Sequence, residues 1–147
     1  MRRSAVWAQW LNDNVADLSY DDAGTTGNVF VEWLPEKPDF AVMVGEGAGG
    51  RPELTKTAND LPDLQFLIRG EPTYPNWSYD AAPYEIYDKL NCLDGVTIGD
   101  DAETQFFLIG CTASQAGPVP IGRDEANRPL WSLNFNLRVK ANTTNRP

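Results

Sequence analysis

Residues Leu130 to Lys140 alternate without a break: Trp131, Leu133, Phe135, Leu137 and Val139 are apolar, and Ser132, Asn134, Asn136, Arg138 and Lys140 are polar. Successive side chains of a strand point to opposite faces, so this stretch predicts a long strand with one dry face and one wet face. A slip of one residue would carry all five large apolar side chains into water. A chain that contains such a strand must build a sheet around it and cover one side of that sheet.

Two segments can supply the cover. Trp7, Leu11, Val15 and Leu18 recur at steps of four, four and three, which predicts a helix from about Ser4 to Ser19 with one apolar stripe. Tyr79, Ala82, Ile86, Leu90 and Leu93 repeat the pattern and predict a second helix over about Asp80 to Leu93. Pro83 falls in its first turn, where a missing N–H does no harm, and Asp94-Gly95 supplies a stop.

Four further strands are predicted. Asn28 to Leu34 places Val29, Val31 and Trp33 on one face; Phe40, Val42 and Val44 follow after a turn bracketed by Pro35 and Pro38, so the two read as an antiparallel hairpin. Leu64, Phe66 and Ile68 alternate with Gln65, Leu67 and Arg69 in a strand apolar enough to be central, and Phe106 to Cys111 forms another. Gly45 to Asp60 holds four glycines and a proline without apolar periodicity, and Thr112 to Pro129 is a second long excursion. The expected class is α+β: a mainly antiparallel five-stranded sheet covered on one face by two helices, with two long loops, in a single domain spanning residues 1–147. A chain of this length buries roughly 68–70% of its unfolded surface, enough for one core.

The chemistry is bounded by what the composition lacks. Lys and Arg number 12 against 21 Asp and Glu, a formal charge of −9, and the cations are scattered, which disfavours a phosphate-gripping nucleic-acid protein. There is no histidine, so zinc sites of the usual kind, Ser-His-Asp triads and Cys-His dyads are excluded together. Cys92 and Cys111 lie in apolar runs and read as small buried hydrophobes in a reducing compartment. The residues after Met1-Arg2-Arg3-Ser4 include Gln9, Asn12, Asp13 and Asn14, so no signal peptide is expected, and no run approaches a membrane span.

Gly45-Glu46-Gly47-Ala48-Gly49-Gly50 matches G-x-G-x-x-G, but no apolar helix follows and Glu46 puts a negative charge where phosphate would sit. The stretch reads instead as an arm that orders on a partner, with Arg51 and Lys56 meeting acidic groups and Leu54 as its apolar anchor. The acids Asp21-Asp22, Asp100-Asp101 and Glu103 sit in polar turns and read as solvated; the EF-hand pattern is absent. Trp7, Trp33 and Trp131 fall on apolar faces and suit a core or subunit contact, whereas Trp10 and Trp77 lie off the main stripes and are interface candidates. Arg123-Asp124-Glu125 marks the second loop as another candidate, and Asn142-Thr143-Thr144 fits a glycosylation acceptor that matters only in a secreted protein. No catalytic, cofactor-binding or metal-binding set emerges, so the expected class is a non-enzymatic assembly protein.

Leu61-Pro62-Asp63-Leu64-Gln65-Phe66-Leu67-Ile68-Arg69-Gly70, then a helix carrying Ala82, Ile86-Tyr87 and Leu90, then Pro120-Ile121-Gly122-Arg123-Asp124-Glu125 leading into Trp131-Ser132-Leu133-Asn134-Phe135, resembles the tail terminator (tail completion) minor capsid proteins of long-tailed phages. The similarity runs from about residue 28 to 140, and the chain departs from the pattern in its Gly45 to Asp60 arm and in Asn76-Trp77-Ser78-Tyr79. The resemblance implies a structural virion protein, assembled in the host cytoplasm, whose copies form a ring of six that caps the tail tube. Its implied partners are its own copies, the tail tube protein and the head-tail connector proteins. DNA only passes through the lumen, which Asp100, Asp101 and Glu103 would line with negative charge, and no membrane is involved. Glu46, Arg51, Leu54, Lys56, Trp10, Trp77, Arg123 and Asp124 are then candidates for subunit or partner contacts. A head-completion or connector protein of the same neck is the alternative within virion assembly, and a carbohydrate-binding module using the tryptophans is the alternative outside it.

Overall fold

A computed structural model describes residues 3–47, 51–52, 59–72 and 81–140, with residues 51–52 as backbone only. Its elements in chain order are α1 (Arg3–Asn14), β1 (Val29–Val31), β2 (Ala41–Gly45), β3 (Arg51–Pro52), β4 (Asp60–Leu61), β5 (Asp63–Arg69), α2 (Ala81–Leu90), β6 (Asp94–Ile98), β7 (Phe106–Ala113), β8 (Val119–Arg123) and β9 (Pro129–Val139).

Strand β9 is the alternating segment, and it is the spine of the sheet. One of its edges pairs with β5 from Leu130 to Asn136 and then with β4 at Val139. Its other edge pairs with β8 from Pro129 to Ser132 and then with β7 from Phe135 to Val139. β2 and then β1 continue the sheet beyond β5, β6 lies beyond β7, and β3 beyond β4. Because paired strands share their faces, the dry side of β9 fixes the dry side of its neighbours. Leu64, Phe66 and Ile68 of β5, Val42 and Val44 of β2, and Leu108 and Cys111 of β7 are buried with Leu133, Phe135 and Leu137. The rings of Phe66 and Phe135 meet edge-to-face at 5.8 Å in the middle of this layer. Trp7, Leu11 and Val15 from the α1 side and Ile86 and Leu90 from α2 close over that same face.

The α+β class and the two covering helices therefore match the sequence reading, and the sheet does not. It has nine strands among the described residues and is mixed, because β1 and β2 run parallel, with Val29 opposite Val42 and Val31 opposite Val44. The expected antiparallel hairpin is replaced by a crossover through residues 32–40. The two long loops are also partly structured. Arg51–Pro52 pairs with Asp60–Leu61, and the second excursion contains β8, so that β7 and β8 lie end to end along β9.

Both helices end earlier than their apolar stripes. Asp17 takes a φ of 63°, which breaks α1 while Val15 and Leu18 stay buried beyond it. Cys92 takes a φ of 67°, so α2 closes there and Asp94-Gly95 begins β6 rather than ending the helix. Cys92 is exposed, contrary to expectation, whereas Cys111 is buried and its thiol is pushed up to about 12 by desolvation, with the nearby Cys92 adding to it.

The turn between α1 and β1 depends on Gly27. Its φ is +83°, and a Cβ there would meet the Ser19 carbonyl oxygen at 2.6 Å. Gly24 has a φ of +71° but open space around it. Gly24→Ala should therefore carry the backbone penalty alone, about 1 kcal/mol. Gly27→Ala should lose more, about 2–3 kcal/mol, through the added clash. Urea unfolding of the two variants measures the difference; equal midpoints would mean that the turn relaxes freely.

Candidate functional site

The crossover from β1 to β2 is too short to be covered by a helix, and its backbone carbonyls need donors. They come from β5. Arg69 has the parity of Leu67 and Gln65, opposite to Phe66 and Ile68, so its side chain leaves the sheet on the face away from the helices. There its Nε donates to the Asp39 carbonyl at 3.0 Å, and Nη2 donates to the carbonyls of Pro35 at 2.7 Å, Glu36 at 3.3 Å and Pro38 at 2.7 Å. The crossover must therefore pass over the open face.

A second arginine completes the grip. In the β8–β9 turn, Asp124 accepts from the backbone N–H groups of Ala126 at 3.0 Å and Arg128 at 2.9 Å, while Asn127 takes a φ of 61°. This geometry turns Arg128 inward. Its Nε donates to Asp124 Oδ2 at 2.8 Å, Nη1 to the Glu36 carbonyl at 2.5 Å and to Asp39 Oδ1 at 3.3 Å, and Nη2 to Glu36 Oε1 at 3.1 Å. Arg69 and Arg128 are only 4% and 3% exposed, and with Lys37 they face the carboxylates of Glu36, Asp39 and Asp124. Buried charges survive when paired or well hydrogen-bonded: Arg128 is paired with Asp124, Asp39 and Glu36, and Arg69 donates to four backbone carbonyls.

Burial lowers the Arg69 pKa, and the neighbouring charge of Arg128 adds to it. A guanidinium nevertheless stays protonated at any physiological pH, so this cluster positions a loop rather than moving protons. What the loop carries outward is Trp33. Its ring meets the buried Phe30 edge-to-face at 5.9 Å, yet the residue is 57% exposed, so of the two expected roles, core or subunit contact, the core one is corrected. β1 ends at Val31, so Trp33 lies past the strand, where the alternation that assigned it to the dry face no longer applies.

The remaining candidates fall at separate places. Glu46 is bound within its own chain: Arg3 Nε donates to its Oε1 at 2.6 Å, tying the start of α1 to the end of β2. Trp10 is half-buried and packs edge-to-face on Trp7 at 5.7 Å, while Trp7 and Trp131 are core residues. Arg123 is exposed, and its Nη1 donates to the Asn127 carbonyl at 2.8 Å. Asp124 is the turn-former just described. Arg51 belongs to β3, whose backbone alone is described; Leu54, Lys56, Trp77, most of the Gly-rich arm, Asn76 to Tyr79 and Asn142 to Thr144 lie outside the described residues.

The acidic turns converge. Asp21, Asp22, Asp100 and Asp101 line a cavity of about 610 Å³ between the α1–β1 loop and the β6–β7 turn, beside Tyr20 and Val6. Asp21 is occupied locally, accepting from Thr25 and Thr26 through hydroxyl and backbone groups and from the Ala23 N–H. These contacts, led by the Thr25 hydroxyl, hold its pKa well below the usual carboxylate range. Asp101 Oδ1 accepts from the Glu103 N–H at 2.9 Å, so it too shapes its turn. Burial, then Asp22 and Asp21, raise the Tyr20 phenol. Among the described residues no group of three His, Cys, Asp or Glu side chains could hold a metal ion, and no helix is long and apolar enough to cross a membrane.

The arginine cluster gives a pH prediction. Burial pushes the Asp124 pKa up, but hydrogen bonds from the Arg128 backbone and guanidinium outweigh it and leave it lowered; Asp39 is lowered chiefly by Lys37. A depressed carboxylate contributes stability above its unfolded pKa of about 3.9, and this is lost as pH falls through the folded value. Thermal unfolding of Asp124→Asn should show a loss of about 1 kcal/mol at pH 7 and a shallower decline than wild type between pH 5 and pH 2. Parallel curves would remove Asp124 from the acid transition.

Comparison with known proteins places this geometry in a family. No curated protein and no solved structure matches the chain. The family model described as bacteriophage tail terminator protein matches residues 14–141, from the last turn of α1 through the end of β9. Both arginines and all nine strands lie inside that span, and on this match the chain belongs to the bacteriophage tail terminator family, whose members are structural proteins of the phage tail.

Proposed function

We propose that copies of this chain form a closed ring, of six, that terminates the tail tube and offers the docking surface for the head-tail connector. The observation that carries the reading is the family match over residues 14–141. The fold is consistent with it, because the sheet has two distinct ends. The Glu46–Arg3 pair, β3–β4 and the β6–β7 turn lie at one end; the arginine-clamped crossover and the β8–β9 turn lie at the other. A subunit with two chemically different ends suits a particle that is tube below and head above. The Gly45 to Asp60 arm, with Arg51, Leu54 and Lys56, contacts the neighbour, the tube or the connector in this reading. Assembly takes place in the host cytoplasm. Electron microscopy of tails carrying the protein should show six-fold density at the upper end; a single copy, or a strand running along the tube, would refute the ring.

Charge gives the second test. Six copies at −9 each carry −54 formal charges, and a negative lumen keeps the phosphate backbone of passing DNA from adhering. Asp100, Asp101 and Glu103 are exposed or nearly so on the β6–β7 turn, and we assign them to the lumen. Replacing all three by lysine should slow or trap ejecting DNA. Unchanged ejection from correctly assembled particles would take this turn out of the channel.

A further inference from the structure

Cys92 and Cys111 are the only cysteines of the chain, and the fold brings their backbones together: the Cys92 N–H donates to the Cys111 carbonyl at 2.9 Å. A direct backbone hydrogen bond between two residues of facing segments holds their Cα atoms about 5–6 Å apart, inside the span that a disulfide bridges. The preceding residue fixes the approach as well, because the Asn91 side chain accepts from the Ala113 N–H at 3.0 Å. Asn91 and Cys92 therefore run beside β7 before β6 begins, and the pairing of Asp94 with Gly110 continues that alignment.

The pair is asymmetric. Cys111 is buried on the covered side of the sheet, in the same core as Leu90, the last residue of α2. Cys92 follows Leu90 by two positions, its φ of 67° closes the helix there, and it is exposed. The two thiols nonetheless sense each other, since Cys111 is raised first by burial and then by Cys92. An accessible thiol thus lies beside a shielded one that an oxidant reaches only through it.

We propose that Cys92 and Cys111 form a redox-sensitive lock, which closes to an intramolecular disulfide on exposure to a small disulfide oxidant such as oxidised glutathione and ties the end of α2 to β7. The Cys92 thiolate attacks one sulfur of the oxidant and expels a glutathione thiolate, leaving a mixed disulfide. Cys111 then gives up its proton to solvent and attacks the Cys92 sulfur; the bond between the two protein sulfurs forms as the bond to the second glutathione breaks. Two protein thiols are oxidised to one disulfide while the oxidant is reduced to two thiols. The closed loop of about 20 residues contains β6 and the turn that carries Asp100, Asp101 and Glu103, so the bridge fixes the base of that turn. A subunit assembled in the reducing host cytoplasm meets oxidising conditions on release, which sets the lock on finished particles. That timing rests on the assembly reading above; the chemistry of the pair does not.

The test incubates the purified full-length chain with oxidised glutathione under native conditions and follows its intact mass and its free thiols. The expected course is an adduct of one glutathione that gives way to a chain lighter by two hydrogen atoms, without free thiols and with its Cys92 and Cys111 peptides joined. The oxidised chain should melt about 6–12 °C above the reduced one, and dithiothreitol should reverse the shift. A lasting adduct, two thiols left free, or bridging between copies would overturn the lock, and a bridged chain that melts no higher would overturn the tie between α2 and β7. Cys111→Ala should stop at the adduct and Cys92→Ala should take up no glutathione; uptake by the latter would overturn the order of attack. Thiol alkylation in infected cells and in released virions separates the timing from the chemistry. Two thiols before release and none after it are expected. Free thiols in virions of a chain that bridges when purified would overturn the timing alone, and absence of the chain from virions would overturn the assembly reading while the lock stands.

Discussion

Strand β9 pairs on both edges over nearly its whole length, and its strict alternation is imposed on everything beside it. If Phe135 and Leu133 face the helices, then Phe66, Leu64 and Val44 must do so as well, because paired strands share a pleat. The helices follow from the same constraint. Their apolar stripes have no other surface wide enough to cover them, and tertiary packing rather than propensity accounts for helices as short as α2.

The same pleat creates the need for the arginine cluster. Residues of opposite parity leave on the open face, and at the end of β5 that residue is Arg69. A parallel β1–β2 pair requires the chain to return over residues 32–40 without a helix to satisfy its backbone. Arg69 supplies donors from the sheet and Arg128 from the adjacent turn, so two side chains replace the hydrogen bonds that secondary structure would have made. The cluster is balanced in charge, and its burial gives the crossover one conformation. That rigidity is what turns Trp33 from an exposed hydrophobe into a fixed surface feature.

Seen this way, the acidic composition and the polar turns have separate roles. Asp21, Asp101 and Asp124 are mainly turn-formers, each accepting backbone N–H groups. The cavity that gathers Asp21, Asp22, Asp100 and Asp101 joins residues far apart in sequence without forming a metal set.

Local pattern alone determined the spine of the protein. The alternation of β9 and β5, the helical stripes of Trp7-Leu11 and Ile86-Leu90, and the single covered face were legible because each is a periodicity within a dozen residues. The chain's resemblance to tail terminators was legible too, in the Arg69-Gly70 strand end and the Gly122-Arg123-Asp124 turn. The partners of those motifs were not. Nothing in residues 28–44 distinguishes a parallel crossover from a hairpin, since Val29 and Val42 alternate identically in either; the direction was decided by Arg69 and by Arg128, whose Nη2 meets Glu36 from 92 positions along the chain. The strands β3, β4, β6 and β8 were missed for a related reason: they are short or largely exposed, so they carry little dry-face signal and exist by virtue of the strand they pair with. Sequence fixes which side chains must leave water together; long-range hydrogen bonding alone decides how the chain between them is routed and which residues it leaves outside.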